Sequence, residues 1–154
     1  MSTKNKVLLT ISLLCCGRAD TTERCLKSLL PIRNALDSEI LVIDTGCDTS
    51  TRAIVDKYAD RVVKFTWVND FAAARNEMVK NAYGQWLLFL DDDEFFIDSE
   101  GIVNLFLSGQ YKEYDFGSYK IRNYKDYEGE TYSDSDVWRM FKLDGQMHFV
   151  GKIH

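Results

Sequence analysis

Gln85–Phe96, QWLLFLDDDEFF, sets the apolar run Trp86–Leu90 directly against four consecutive acids and closes on two phenylalanines. A run that apolar reads as a strand covered on both faces, as in the centre of a parallel sheet. The four carboxylates repel one another. An acid run is commonly a solvated loop, but this one sits between apolar segments at the end of a central strand, which marks it as a site. If the chain stays extended through it, Asp91 and Asp93 point to one side and Asp92 to the other, so the first and third share one divalent cation. Hard carboxylate oxygens suit Mg²⁺ or Mn²⁺.

Upstream, strand-like and helix-like segments alternate, which predicts an α/β fold with a mostly parallel sheet and flanking helices. Lys6–Cys16 is the first strand. A helix follows, with Asp20 and Glu23 as a capping box, Cys25, Leu26, Leu29 and Leu30 as its apolar stripe, and Pro31 kinking or ending it. Glu39–Asp44 is the second strand, and the turn after it leads to a helix carrying Ala53, Ile54, Val55 and Tyr58. Arg61–Trp67 is the third strand. Asn69 or Asp70 then caps a helix with Phe71, Ala74, Met78 and Ala82 at helical spacing, which Gly84 ends before the fourth strand, Gln85–Asp91. Downstream, Ser99 caps a further helix through Ile102, Val103 and Phe106, and turns at Glu128-Gly129 and Asp144-Gly145 predict antiparallel hairpins. No linker or internal repeat divides the chain, so one domain is expected over residues 1–154. Its end, Gly151-Lys152-Ile153-His154, has no turn or cap signal and reads as cut.

Composition excludes several classes. With 19 Lys and Arg against 24 Asp and Glu over 154 residues, the chain carries a formal charge of −5, and no basic cluster suits nucleic acid. No apolar stretch approaches the roughly 20 residues of a membrane span, and no signal cleavage site follows the start. Cys15, Cys16, Cys25 and Cys47 lack C-x-x-C spacing, and His148 and His154 are the only histidines, so reduced thiols and a cytoplasmic location are expected.

In such a sheet the carboxyl ends of the strands share one edge, where ligands bind. The sequence brings four segments there: Cys16-Gly17-Arg18, Asp44 to Asp48, Trp67 to Asp70, and Asp91 to Glu94. Asp44 can accept hydrogen bonds from a ribose or base, or serve as a turn carboxylate capping the next helix. Arg75, one turn into the third helix, can reach an anion near that helix's N-terminus, or stand as an exposed helical arginine. Dinucleotide, Walker A and G-x-S-x-G motifs are all absent. What remains is metal-assisted handling of a phosphate-bearing ligand.

The stretches ISLLCCGRADTTERCLKSLLPI, EILVIDTGCDTSTRAIVDKYAD and FTWVNDFAAARNEMVKNAYGQWLLFLDDDE, in that order, closely resemble the family 2 glycosyltransferases of the GT-A fold. The resemblance covers Lys6 to about Phe96 and continues more weakly to the end. It implies a nucleotide-binding half over about 6–96 and a partial acceptor side over about 97–154. It assigns Asp44 to the base or ribose, Arg75 and Asn76 to the nucleotide pocket, and Cys16, Gly17 and Arg18 to packing against the base. Asp91, Asp92 and Asp93 become the D-x-D motif, which binds the donor diphosphate, with Asp91 and Asp93 on the metal. Two departures stand out: the Gly46-Cys47-Asp48 turn is one residue short, and FVGKIH stops at His154 with no glutamate after it.

The activity so implied is inverting transfer from a nucleotide sugar, a UDP-sugar by expectation, to a glycolipid, polysaccharide or protein acceptor, with Mg²⁺ or Mn²⁺ stabilising the departing diphosphate. Asp93 is a catalytic candidate through the D-x-D motif, Asp134 and Asp136 are candidate bases for the acceptor, and His154 is a candidate metal ligand or a group supporting one. A non-catalytic nucleotide-sugar-binding or assembly module is the alternative. A receiver-like phosphotransfer domain is disfavoured because the acids follow the fourth strand, not the first.

Overall fold

The computed structural model describes residues 7–152. Its elements run β1 (Val7–Cys15), α1 (Ala19–Ala35), β2 (Ser38–Asp44), α2 (Thr49–Tyr58), β3 (Arg61–Lys64), α3 (Phe71–Asn81), β4 (Gly84–Asp91), α4 (Glu100–Leu107), a short 3₁₀ turn (Gln110–Glu113), β5 (Phe116–Tyr124) and β6 (Tyr132–Lys142). One six-stranded sheet has the order β3-β2-β1-β4-β6-β5. Its first four strands are parallel, and β6 and β5 form an antiparallel hairpin added beside β4. The α/β expectation stands.

The alternation of side chains explains the layers. Leu9, Ile11, Leu13, Ile40, Val42, Trp86, Leu88 and Leu90 face α1, α2 and α4, while Leu41, Ile43, Leu87 and Phe89 face Met78 of α3. Every residue of β2 is buried, as two covered faces require. Within β1, Thr10 and Ser12 are buried and polar, and each has a partner: Thr10 donates to Glu39 at 2.8 Å and Ser12 to the Leu41 carbonyl at 2.7 Å.

Several local expectations change. Pro31 is exposed and does not end α1, which runs four residues past it. The capping box at Asp20 is absent: Arg18 occupies the N-cap without a side-chain bond, and Asp20 lies within the first turn, where its charge favours the helix dipole. β3 stops at Lys64, not Trp67, because its partner β2 ends at Asp44 and the last pair is Asp44 with Lys64. Asp70, with its carboxylate accepting from Ala73 N, is the cap of α3, and Ala82 follows its last turn. Gly84 is therefore no helix terminator. It opens β4, and a Cβ there would lie 2.4 Å from the Thr10 nitrogen, so glycine is needed for close strand approach. Ser99 sits at the N-cap of α4 but makes no side-chain cap bond. Of the two turns, Glu128-Gly129 lies in the loop of a real hairpin, whereas no strand follows Asp144-Gly145 among the described residues.

Candidate active site

The carboxyl ends of β1, β2 and β4 meet at one edge. After β2 the chain turns at once, and Asp44 holds the turn: its Oδ1 accepts from the Gly46 and Cys47 amides at 2.9 and 2.7 Å, and its Oδ2 from Arg52 of α2 at 3.0 Å. Burial alone pushes this carboxyl up, but the two amides and Arg52 outweigh it and hold Asp44 below the usual carboxylate range. Asp48 caps α2 by accepting from Thr51 N at 2.8 Å. Asp44 thus organises the turn directly, and Asp48 does the capping.

After β4 the chain does not stay extended. The Glu94 amide donates to the Asp91 carbonyl at 3.0 Å, closing a turn over Asp91–Glu94. The carboxylates that share a partner are consequently Asp92 and Asp93, not Asp91 and Asp93: Arg18 binds Asp92 through Nη2 and Asp93 through Nη1 at 3.1 Å. The alternation expected of a strand fails because the strand stops at Asp91. Asp92 has a side chain only 3 % exposed, whereas that of Asp93 is 49 % exposed. Burial raises the Asp92 carboxyl, against the opposing pull of Arg18 and the Cys16 amide, and its Oδ2 has no partner among the described residues.

Asp91 faces the other way. Arg75 of α3 approaches its Oδ1 at 3.5 Å and Arg139 of β6 its Oδ2 at 3.6 Å; Arg139 also binds Glu94 at 3.0 Å. Arg75 is no exposed helical arginine. It packs near the Phe71, Phe89 and Phe149 rings, and burial lowers its guanidinium pKa, with Asp91 opposing and Arg139 adding to the shift. Four acids are thus faced by three arginines from separate elements. A cleft of about 700 Å³ opens beside this turn, with Asp91, Asp93 and Glu94 on one wall and Tyr119, Arg122 and Asp134 of the hairpin on the other.

The sequence matches the model of the family described as "Glycosyl transferase family 2" over residues 10–148. The chain belongs to that family. It is 28 % identical over 149 residues to the SPbeta prophage-derived glycosyltransferase SunS of Bacillus subtilis, covering 95 % of this chain and 34 % of the relative. Among solved structures, the fold is similar to the mannosyltransferase PcManGT from Pyrobaculum calidifontis in complex with GDP-Man and Mn²⁺, with TM-score 0.55, 18 % identity and coverage of 68 % and 32 % of the two chains. It is also similar to S. aureus TarS residues 1–349 in complex with UDP-GlcNAc, with TM-score 0.51, 21 % identity and coverage of 77 % and 34 %. The chain therefore spans about a third of the length of the relatives it matches.

Within this family 2 chain, the structure gathers Cys16, Gly17, Arg18, Asp44, Asp91, Asp92 and Asp93 at one edge, with Arg75 against Asp91. Asn76 is used otherwise: its amide donates to the Phe149 carbonyl at 3.0 Å and accepts from the Phe149 amide at 2.7 Å, pinning the C-terminal segment to α3. Asp134 and Asp136 lie on β6, not in a loop, paired with Arg122 at 2.9 Å and Lys120 at 3.3 Å. Asp134 reaches the cleft wall, and Asp136 is not among the residues that line it. His154 lies outside the described residues. Sequence reasoning places Glu94 at this edge without a role and gives no signal for Arg139 or Arg52, because a lone arginine in a strand or helix has no spacing pattern.

Proposed function

We propose that this chain is the donor-binding part of a glycosyltransferase that moves a sugar from a nucleotide sugar, with UDP as the nucleotide, to an acceptor with inversion. The observation that carries this reading is the Asp91–Glu94 turn at the end of β4, opening with both Asp91 and Asp93 onto the cleft. Nucleotide chemistry is supported by family membership. UDP is favoured by the likeness to TarS with UDP-GlcNAc, and the GDP-Man of PcManGT makes GDP the necessary control.

A divalent cation fits the donor set as an open site. Among the described residues no three His, Cys, Asp or Glu side chains converge into a cage, and Mg²⁺ or Mn²⁺ characteristically takes one or two carboxylates together with substrate phosphates. Asp93, half exposed on the cleft wall, would hold it, while Asp91 on the same wall is turned towards Arg75 and Arg139; when bound it supplies Lewis-acid stabilisation of the departing diphosphate. The chain's own residues do the rest. Arg18 fixes Asp92 and Asp93, Arg75 with Arg139 holds Asp91, and the Asp44 turn and Cys16-Gly17-Arg18 border the place for base and ribose. An acceptor hydroxyl entering the cleft would give its proton to a carboxylate, for which Asp134 on the wall and Asp136 beyond it are the candidates. A positioned base contributes about 10² to 10⁴ in rate.

The chain acts as a single domain. A cytoplasmic setting is supported by its four free thiols, and no helix among the described residues is long and apolar enough to cross a membrane. A second reading, a binding module without turnover, is favoured by the pairing of both candidate bases, Asp134 with Arg122 and Asp136 with Lys120. Release of UDP from UDP-sugars separates the two. The transferase reading expects Mn²⁺-dependent release, reduced at least 100-fold in Asp93→Ala; binding of the donor with no release in either protein would establish the module.

A further inference from the structure

The ladder between β4 and β6 ends early. Paired residues are Trp86 with Lys142, Leu87 with Phe141 and Leu88 with Met140. Beyond Leu88 the two strands no longer pair, and the next residue of β6, Arg139, sends its side chain across the opening. Its guanidinium lies 4.9 Å from the centre of the Phe89 ring and reaches Glu94 Oε1 at 3.0 Å and Asp91 Oδ2 at 3.6 Å. Glu94 in turn accepts from the Asp91 amide through Oε2 at 3.3 Å. The shape of the acid turn is therefore held from inside by Glu94 and from outside by a residue of the hairpin.

Arg139 is a poor choice for stability alone. Its Nη1 is buried and has no partner among the described residues, which is costly for a charged donor. It also adds a like charge beside Arg75. An apolar side chain of similar length would fill the opening over Phe89 at least as well, since buried ion pairs are often replaced by apolar residues without loss. What an apolar residue could not do is fix the direction of two carboxylates.

We infer that Arg139 is a positioning residue: it clamps the Asp91–Glu94 turn to the β5–β6 hairpin and thereby sets the geometry of Asp91 at the donor site. The inference rests on the donor reading given above for the acid turn. It makes the hairpin, which forms the far wall of the cleft, mechanically continuous with the carboxylates that face the diphosphate.

The test compares the wild-type chain with Arg139→Met, Arg139→Lys and Glu94→Gln, reading amide hydrogen exchange at Asp91 and Glu94 and calorimetric affinity for UDP with Mn²⁺. Arg139→Met is expected to speed exchange at those two amides at least tenfold, leave Leu88 unchanged, and weaken UDP with Mn²⁺ about tenfold. Arg139→Lys should fall between, because an ammonium keeps the charge but not the forked geometry. Glu94→Gln should reproduce the exchange effect, and combining it with Arg139→Met should add little, as members of one clamp are not additive. Wild-type exchange in both Arg139→Met and Glu94→Gln, or faster exchange with unchanged affinity, would overturn the inference. If the wild-type chain binds no UDP, the donor reading falls, and the exchange data alone decide whether the clamp exists.

Discussion

Glu39→Ala separates the stability of the sheet from the chemistry of its edge. Glu39 is 6 % exposed near the start of β2. Its Oε1 accepts from Thr10 Oγ1 at 2.8 Å, the Tyr83 amide at 2.9 Å and Arg61 Nη2 at 3.0 Å, and its Oε2 from Arg61 Nε at 2.8 Å. Alanine would leave Arg61 beside the Tyr83 ring without its carboxylate and take an acceptor from the buried Thr10 hydroxyl and from the half-buried Tyr83 amide. Removing one partner of a buried pair costs about 3–5 kcal/mol, and Arg61, 26 % exposed, recovers some hydration, so about 3 kcal/mol is expected. For a chain of this size that is a fall in Tm of roughly 6–12 °C. Asp44 lies five residues further along β2, roughly 16 Å at strand rise, so UDP affinity measured below the transition should not change. Urea unfolding followed by circular dichroism, paired with calorimetry, reads both. A loss under about 1 kcal/mol would refute the claim that this network braces β1, β2 and β4, on the scale expected for a surface pair.

Gly84→Ala should destabilise by about 1–3 kcal/mol or more, as overpacking does, because the new Cβ meets the Thr10 nitrogen at 2.4 Å and the Trp86 carbonyl at 2.6 Å; thermal unfolding checks this. The pH response has a definite sign at Asp60. Burial pushes this carboxyl up, but Arg33, the Ile40 amide and the charge of Arg61 outweigh it, and its pKa lies below the usual value. The contribution is therefore complete above the ordinary carboxylate pKa of about 4 and is lost as pH falls through the lower folded value. Asp60→Asn should be less stable than the wild type at pH 7, and the gap should narrow below about pH 4 in parallel urea titrations.

The parallel half of the fold was legible because its strands are apolar on both faces and its helices carry their stripes at regular spacing. Misreadings came where one residue type serves two purposes. Gly84 follows a helix closely enough to look like its terminator, but the requirement it meets is across the sheet, at Thr10. The acid run was placed correctly at the edge, yet its internal geometry was not readable: whether Asp91 and Asp93 point together depends on where β4 stops, and that is fixed by the turn bond from Glu94. Asn76 looked like a pocket residue by motif, while its partner, Phe149, is 73 residues away in sequence. Arg139 was missed for the same reason. Its role exists only once β6 lies beside β4, a long-range pairing that no local pattern encodes.

On the proposed reading, the acid turn and the Asp44 edge form a metal-dependent site for a uridine nucleotide. Calorimetric titration of UDP into the wild-type chain with Mn²⁺, repeated with EDTA and with GDP and ADP, tests it most directly. Saturable UDP binding is expected with Mn²⁺, at least tenfold weaker with EDTA and weaker for both other nucleotides. No UDP binding under either condition, or equal binding with and without the metal, would contradict it.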